Sequence, residues 1–364
     1  MSTHAHIFQS TQPLNLKSGA TLASFELAYE TYGTLNAEGT NAIWVCHALT
    51  GSAHVAAHQH TTEKGWWEAM VGPGLAIDTN TYFVVCSTLL GSCKGSTGPT
   101  HTNPATGTPY GLDFPVLTIE DCVHAQKQLC DQLHISRLAA VVGPSMGGMQ
   151  ALQWAISYPE MLQKCVVIAS SACLSPQALA FGMVGRNAIV SDSRFNDGNY
   201  ADDVPRTGLG IARMIGHITY LSQNSIQQKF GRKLQDKSTY GYEHSADFQV
   251  ESYLNYQGDK FVDQFDANSY LYLSKMLSYF DLANEYGSLE AAFEQCKASF
   301  LFVSISSDWL YPTTQSKEMV RACMKRNKQV SFCEVQSDYG HDAFLIEPEP
   351  FAAVIAPFLR NVVS

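Results

Sequence analysis

The stretch VVGPSMGGMQ, residues 141–150, places a single serine between glycines at the end of an apolar run. Residues 138–142 are apolar and partly β-branched, which is typical of a buried strand, and residues 149–158 have the composition of a helix. A strand that turns into a helix within about three residues crowds its own backbone, and the two flanking glycines relieve that crowding. The stretch predicts a sharp strand–turn–helix junction with Ser145 at its tip, which is how a Gly-x-Ser-x-Gly nucleophile is presented.

Glycine–serine clusters are more often ordinary loops, so a catalytic role for Ser145 requires partner residues. A serine hydroxyl needs a base to take its proton, and the base needs a carboxylate to orient it. With this motif the partners follow in chain order, acid and then histidine, each after a later strand. The apolar run 299–305 leads into Asp308, and the run 330–335 leads into the loop that holds His341. The sequence predicts a Ser145–His341–Asp308 triad.

Other aspartates near these positions have simpler interpretations. Asp338 and Asp342 are too close to His341 in sequence to orient it, and either could cap the loop or bind substrate. Asp308 itself could be a plain turn former. The order and the contexts of the three triad residues together favour the catalytic interpretation.

Acyl transfer also requires two N–H donors for the oxyanion. The first is predicted at Met146, directly after the nucleophile, and the second in the loop after an early strand. That loop reads HALTGSAH at residues 47–54, and Leu49 is the predicted donor, although the stretch could also be a plain glycine turn.

Continuous apolar runs recur along the chain, as is typical of parallel strands covered on both faces. They lie at residues 42–46, 82–86, 138–142, 165–169, 299–305 and 330–335. Helical stretches such as 119–134 lie between them, but no buried strand is apparent from about 175 to 295, where residues 208–223 and 268–280 look helical. We predict an α/β fold with a mostly parallel sheet flanked by helices.

The absence of predicted strands between about 175 and 295 indicates how the chain is divided. Residues 1–174 and 296–364 would form one α/β core, and residues 175–295 a helical lid inserted into it. A separate domain is the alternative, but no flexible linker is obvious at either end.

The amino-acid composition indicates which kinds of binding partner and which cellular compartment to expect. The chain has 364 residues, 45% hydrophobic and 15% charged, as in a globular protein. A net charge of −10 argues against nucleic-acid and anionic-membrane partners. No secretory pattern, membrane-length apolar run or Cys-x-x-Cys pair is present, so we expect a reducing cytoplasm. We expect no metal site, and the histidine-containing stretch 54–60 is predicted to be a solvated loop.

Longer motifs run through nearly the whole chain, the inserted segment included. They are HALTGSAH at 47–54, GWWEAMVGPGLAIDTNTYFVVC at 65–86, GSTGPTHTNPATGTPYGLDFP at 95–115, GPSMGGMQALQWA at 143–155, RNAIVSDSRFNDGNY at 186–200, FQVESYLNYQGDKFVDQFDANSYLYL at 248–273 and DYGHDAF at 338–344. Together they resemble the homoserine O-acyltransferases. The resemblance implies an α/β-hydrolase fold with a helical lid and a homodimer built through the lid helices.

The same resemblance implies a reaction. An acyl group would pass from acyl-coenzyme A, a co-substrate and not a bound cofactor, to Ser145 and then to the hydroxyl of L-homoserine. This is a ping-pong route with a covalent acyl-enzyme, in the pathway to methionine. It also implies that Arg213 binds the α-carboxylate of the amino acid and Asp342 its ammonium group. Without the resemblance, Arg213 would be interpreted as a helix-surface arginine.

Two features bear on substrate choice. Relatives resembling succinyltransferases tend to hold an arginine at the position of Leu310, and leucine offers no cation for a buried succinyl carboxylate, so acetyl-coenzyme A is the predicted donor. A basic residue such as Lys94 could compensate. The stretch STLLGSCKG, residues 87–95, departs from the family pattern close to the expected pocket. Homoserine O-succinyltransferase, serine O-acyltransferase and, in third place, carboxylester hydrolase activities are the alternatives.

Overall fold

The structure, a computed structural model, describes residues 5–58 and 63–360. Its strands in chain order are β1 (His6–Ser10), β2 (Leu14–Asn15), β3 (Thr21–Leu22), β4 (Phe25–Tyr32), β5 (Ala42–Val45), β6 (Val71–Gly72), β7 (Ile77–Asp78), β8 (Phe83–Ser87), β9 (Leu138–Pro144), β10 (Lys164–Ile168), β11 (Ser299–Ile305) and β12 (Val330–Val335). Eight of them form one sheet in the order β1-β4-β8-β5-β9-β10-β11-β12. The other four form two small two-stranded pairs.

All of the α-helices that the structure describes follow β8 in the chain. They are α1 (Ile119–Gln132), α2 (Met146–Ser157), α3 (Pro176–Val190), α4 (Arg206–Tyr220), α5 (Gln223–Lys229), α6 (Gln249–Val262), α7 (Ala267–Tyr279), α8 (Leu282–Tyr286), α9 (Leu289–Ala292), α10 (Thr313–Lys325), α11 (Ala343–Ile346) and α12 (Pro348–Arg360). Local sequence explains where α1 begins: Thr118 and Asp121 form a capping box, each side chain accepting from the other residue's backbone N–H.

Every apolar run predicted as a strand is a strand, with nearly the predicted bounds. These six strands, β8, β5, β9, β10, β11 and β12, pair with one another in parallel. Strands β1 and β4 pair in antiparallel fashion at one side and were not predicted. The sequence of β4, FELAYETY, mixes charged with apolar residues, so it lacks the continuous apolar pattern of the other strands.

The apolar runs are continuous because both faces of the sheet are covered. Trp44 packs in one buried cluster, and its neighbours Ile43 and Val45 pack in another. Adjacent side chains of a strand point to opposite faces, so the two clusters lie on opposite sides of the sheet. Both faces are therefore apolar, as in an α/β sheet flanked by helices.

Helices α3 to α9 fill the chain between β10 and β11. No strand interrupts residues 169–298, all of which are described, although isolated bridges join Cys173 to Asp281 and Leu234 to Phe248. The name helical insertion is used below for residues 175–295; the division at these bounds stays a prediction. Across residues 5–58 and 63–360, no helix is long and apolar enough to cross a membrane.

Candidate active site

Ser145 lies at the junction of β9 and α2, as the opening stretch of sequence predicts. Its backbone has φ 56° and ψ −123°, a conformation that L-residues seldom adopt. A Cβ at Gly143 would lie 2.0 Å from the carbonyl oxygen of Gly147, and a Cβ at Gly147 would lie 2.1 Å from that of Cys46. Both positions therefore require glycine, and the strained turn presents the serine hydroxyl at the carboxyl end of the strand.

Ser145, His341 and Asp308 meet as one hydrogen-bonded chain. The Oγ of Ser145 lies 2.9 Å from Nε2 of His341, and Nδ1 of His341 lies 2.7 Å from Oδ2 of Asp308. The other carboxylate oxygen, Oδ1, accepts the backbone N–H groups of Leu310 and Tyr311 at 3.0 and 2.9 Å. These bonds fix the carboxylate, which in turn holds the imidazole with its bare Nε2 towards the serine.

The surroundings of His341 tune its basicity. The ring is buried, stacks on Tyr311 with centroids 5.0 Å apart, and meets the edge of Phe344. Burial lowers the pKa of His341, but the charge of Asp308 and its hydrogen bond outweigh that effect and raise the pKa above its ordinary value. The imidazole is therefore a stronger base than one buried without its carboxylate.

The predicted oxyanion donors lie on either side of the nucleophile. Met146 is the first residue of α2, and Leu49 lines the same cavity as Ser145. As the first residue of α2, Met146 has a backbone N–H without a partner in the helix ladder, as an oxyanion donor requires. The role of Met146 and Leu49 as donors stays a prediction.

His47 positions the loop of Leu49, and sequence reasoning missed it. Its Nε2 accepts the backbone N–H of Leu89 at 3.0 Å, and its Nδ1 lies 2.7 Å from the carbonyl oxygen of Ala48. Burial lowers the pKa of His47 to about 4, so the ring is neutral with its proton on Nδ1. A histidine directly after a buried strand was the only signal in the sequence.

The cavity beside Ser145 is small and carries no charged side chain. Its volume is about 80 Å³, and Leu49, Leu310 and Tyr311 from the core meet residues of α3, α4 and α7 in its wall. The helical insertion therefore closes the site over the serine. Leu310 lies where it was expected; that it selects the acyl group stays a prediction.

The structure places two sequence candidates outside the lining of this cavity. None of its lining residues comes from the stretch 87–95, because Leu89 and Leu90 are buried in the main core. The ammonium group of Lys94 donates to the carbonyl oxygen of Gln264 at 2.6 Å, and the residue lines a different cavity. Lys94 therefore supplies no cation to the acyl pocket.

Arg213 and Asp342 lie close to the triad without pairing with each other. Arg213 stacks on Phe261, with 4.8 Å between the guanidinium carbon and the ring centroid, and its Nε is buried with no partner. Burial raises the pKa of Asp342, and the charges of His341 and Arg213 lower it only in part. Within the described ranges, neither side chain has a hydrogen bond or an ion pair. The binding of an amino acid by these two opposite charges stays a prediction.

The remaining sequence candidates lie outside this arrangement. Asp338 is exposed, and Asn224 donates to its Oδ1 at 3.3 Å, so it acts as a loop residue. The prediction of a solvated loop at residues 54–60 is wrong for His54, which is buried, and for His58, which is half-buried. Residues 59 and 60 lie outside the described part of the chain.

Known proteins are similar over almost the whole length. A family model described as the alpha/beta hydrolase fold matches residues 41–348. A homoserine O-acetyltransferase from Methanobrevibacter ruminantium is 55% identical over 361 residues, which cover 98% of this chain and 74% of that relative. The crystal structure of homoserine O-acetyltransferase from Bacillus anthracis has a TM-score of 0.93 and 31% identity, covering 99% of this chain and 98% of that one. Esterase E22 has a TM-score of 0.91 and 29% identity, covering 98% of this chain and 99% of its own.

Proposed function

The chain belongs to the homoserine O-acetyltransferases of the α/β-hydrolase fold, and we propose that it moves an acetyl group from acetyl-coenzyme A to the hydroxyl of L-homoserine. The observation that carries the proposal is the unpaired Arg213 and Asp342 beside a complete triad. Simple esters present no such pair of charges, whereas every α-amino acid does.

The first half-reaction follows from the hydrogen bonds around Ser145. Nε2 of His341 takes the hydroxyl proton as the oxygen attacks the thioester carbonyl, and the N–H groups of Leu49 and Met146 bind the oxyanion. Each such donor is worth about 3 kcal/mol of barrier. The carbon–sulfur bond then breaks, His341 returns the proton to the departing thiol, and an acetyl ester remains on the serine.

The second half-reaction uses the same base. Arg213 binds the α-carboxylate of homoserine and Asp342 its ammonium group, so the side-chain hydroxyl reaches the acetyl-enzyme. His341 takes the hydroxyl proton, the oxygen attacks the ester carbonyl, and the proton passes to Ser145 as its bond to the acetyl group breaks. The products are O-acetyl-L-homoserine and the free enzyme.

The assay that tests the proposal separates donor and acceptor. Acetyl- and succinyl-coenzyme A are each mixed with L-homoserine, L-serine or neither, while free thiol and the acylated amino acid are measured. We expect thiol release that depends on L-homoserine and matches O-acetylhomoserine in amount. Equal release without an acceptor would indicate hydrolysis, the reaction that the likeness to esterase E22 favours.

Replacing Arg213 with alanine is expected to separate the two half-reactions. The variant should lose about 100-fold in kcat/KM for L-homoserine, since a hydrogen-bonded charge pair to the substrate is removed. Formation of the acetyl-enzyme should be unchanged, because the acetyl group carries no carboxylate for Arg213. Rapid-quench mass spectrometry measures the first step and steady-state thiol release the second.

Arg206→Ala provides the matched control for that variant. Arg206 begins the same helix, α4, and its exposed side chain pairs with Asp263 at 2.8 Å. Its removal should leave both half-reactions unchanged. An equal loss in both steps for Arg213→Ala would assign the residue to structure or to coenzyme binding instead.

The donor assignment is tested at Leu310. The wall of the cavity is uncharged, so a succinyl carboxylate would be buried there without a cation. We expect the wild type to prefer acetyl-coenzyme A, and Leu310→Arg to raise kcat/KM for succinyl-coenzyme A by about tenfold or more. Leu310→Met, which keeps volume without charge, should retain the acetyl preference. A wild type that prefers succinyl-coenzyme A contradicts the assignment.

The proposal also covers the oligomeric state of the protein and its cellular compartment. We propose a homodimer formed through the helical insertion, supported by exposed apolar side chains on two of its helices. They are Met183, Val184 and Val190 on α3 and Ile211 and Ile218 on α4.

The ten free cysteines support a reducing compartment, the cytoplasm.

A further inference from the structure

A buried cluster of two histidines and one glutamate lies away from the triad. Glu30 is in the middle of β4, and its side chain is almost fully buried. Its Oε2 lies 2.9 Å from Nδ1 of His54 and 2.8 Å from Nε2 of His58. The three candidate ligand atoms all lie within 4.8 Å of one another. No metal site was expected from the sequence, because the histidines show no His-Glu-x-x-His spacing and residues 54–60 were interpreted as a solvated loop.

Each ring nitrogen of His54 faces an oxygen atom of the protein. Its Nε2 lies 3.4 Å from the carbonyl oxygen of Glu63, and its Nδ1 faces the Glu30 carboxylate. A neutral imidazole carries one N–H, so one of its two nitrogens then presents a lone pair to an oxygen. Two arrangements satisfy both contacts: an imidazolium that donates from both nitrogens, or a cation bound by Nδ1 and Oε2 with Nε2–H donating to the carbonyl. Histidines that bind metals commonly orient themselves by such a second hydrogen bond.

The other two ligands are also held in place. The ring of His58 stacks on Tyr32, with centroids 4.5 Å apart and 16° between the planes. The Tyr32 hydroxyl donates to Oε2 of Glu30 at 2.8 Å and accepts the backbone N–H of Ala56 at 3.3 Å. Tyr32 thus orients both the carboxylate and one imidazole, which is the support that a preformed metal site needs.

We propose that Glu30, His54 and His58 bind one Zn²⁺ ion. Two imidazoles and one carboxylate are a donor set that zinc accepts. Ligands at about 2.0–2.2 Å from the ion lie about 3.4 Å apart, so Oε2 and the two nitrogens, now 2.8–2.9 Å apart, would separate by about 0.5 Å on binding. A cavity of about 500 Å³ borders Glu30 and His54 and provides a route of entry and room for a water as fourth ligand.

The ion would tie β4 to the chain segment that leads away from the oxyanion loop. His54 ends the HALTGSAH stretch, and the N–H of Ala53 beside it donates to Oγ1 of Thr88 at 3.0 Å. The ion makes no contact with the triad. It stabilises the fold of this segment and takes no part in acyl transfer, so the inference stands apart from the proposed function.

The test uses the full chain without a histidine tag, after chelator treatment and dialysis. Zn²⁺ is titrated by calorimetry, bound zinc is counted by mass spectrometry after dialysis, and Co²⁺ is added for its visible spectrum. We expect one equivalent of zinc, a raised Tm, and a Co²⁺ spectrum of a four-coordinate site with nitrogen ligands.

The decisive variant is His58→Ala, because its half-buried side chain can be removed with least disturbance; Glu30→Gln and His54→Gln test the other ligands. Each should weaken zinc binding by at least about 100-fold while near-ultraviolet circular dichroism shows a folded chain. His124→Gln is the matched control, since His124 lies 3.7 Å from Glu120 on the surface of α1 and should not matter. A wild type that binds no stoichiometric zinc, or a folded His58→Ala that binds it as tightly, overturns the proposal.

Discussion

Ser145→Ala is expected to lower thiol release from acetyl-coenzyme A on the order of 10⁴-fold or more, since the variant has no nucleophile. Alanine adds no atom to the strained turn at φ 56°, so the junction of β9 and α2 should stay intact. Initial rates with L-homoserine present measure the loss. Circular dichroism and Tm should match the wild type, because the change removes one hydroxyl and one hydrogen bond.

The covalent intermediate gives a second readout of the same change. Wild-type protein mixed with acetyl-coenzyme A and no acceptor should gain a single acetyl group at Ser145, and the variant should gain none. An acetyl group found on another residue, or a variant that keeps its turnover, would contradict the covalent mechanism.

Asp308→Asn is the second variant with a large expected effect, about 10⁴-fold in kcat. The asparagine oxygen can still accept the N–H groups of Leu310 and Tyr311, so its amide is turned towards Nδ1 of His341. Nδ1 must then accept a hydrogen bond instead of donating one, so the single imidazole proton lies on Nε2, the nitrogen that should be bare to act as base. The three side chains keep their positions, but the imidazole of His341 is in the tautomer that cannot act as base towards Ser145.

The pH profile distinguishes this explanation from simple damage. Burial lowers the pKa of His341, whereas the charge and hydrogen bond of Asp308 and, to a lesser extent, the charge of Asp342 raise it, so removing the Asp308 carboxylate shifts the pKa downwards. His341 must be neutral to act as base, and the acid limb of kcat/KM should therefore move to lower pH in the residual activity. The control is Asp338→Asn, an exposed residue near His341, which should change neither rate nor profile. An unmoved acid limb would contradict the role of Asp308.

The triad could be predicted from sequence because each member is defined by local signals. Buried parallel strands are continuous apolar runs, and Ser145, Asp308 and His341 each follow such a run directly. The carboxyl ends of parallel strands share one edge of the sheet, so residues that follow them are brought together whatever their separation along the chain.

The features that sequence reasoning missed depend on contacts between distant segments. Glu30 lies in β4, a strand without a continuous apolar pattern, and its burial beside two imidazoles depends on the path of the distant segment that holds His54 and His58. His47 acquires its role from the N–H of Leu89, which no local pattern specifies. Stretch 87–95 was expected close to the acyl pocket by resemblance, and its leucines are buried in the core.

The helical insertion between β10 and β11 has a consequence for how the enzyme assembles. Pairing of Val166 with Leu301 must close a long loop before the parallel sheet is complete, and the serine and histidine of the triad are 196 residues apart. Such non-local pairing slows folding, while helices form early from local contacts. We therefore expect activity to recover late after denaturation, well after the helical circular-dichroism signal has returned. Between the return of the helices and the completion of the sheet, an unpaired strand edge is exposed and can aggregate.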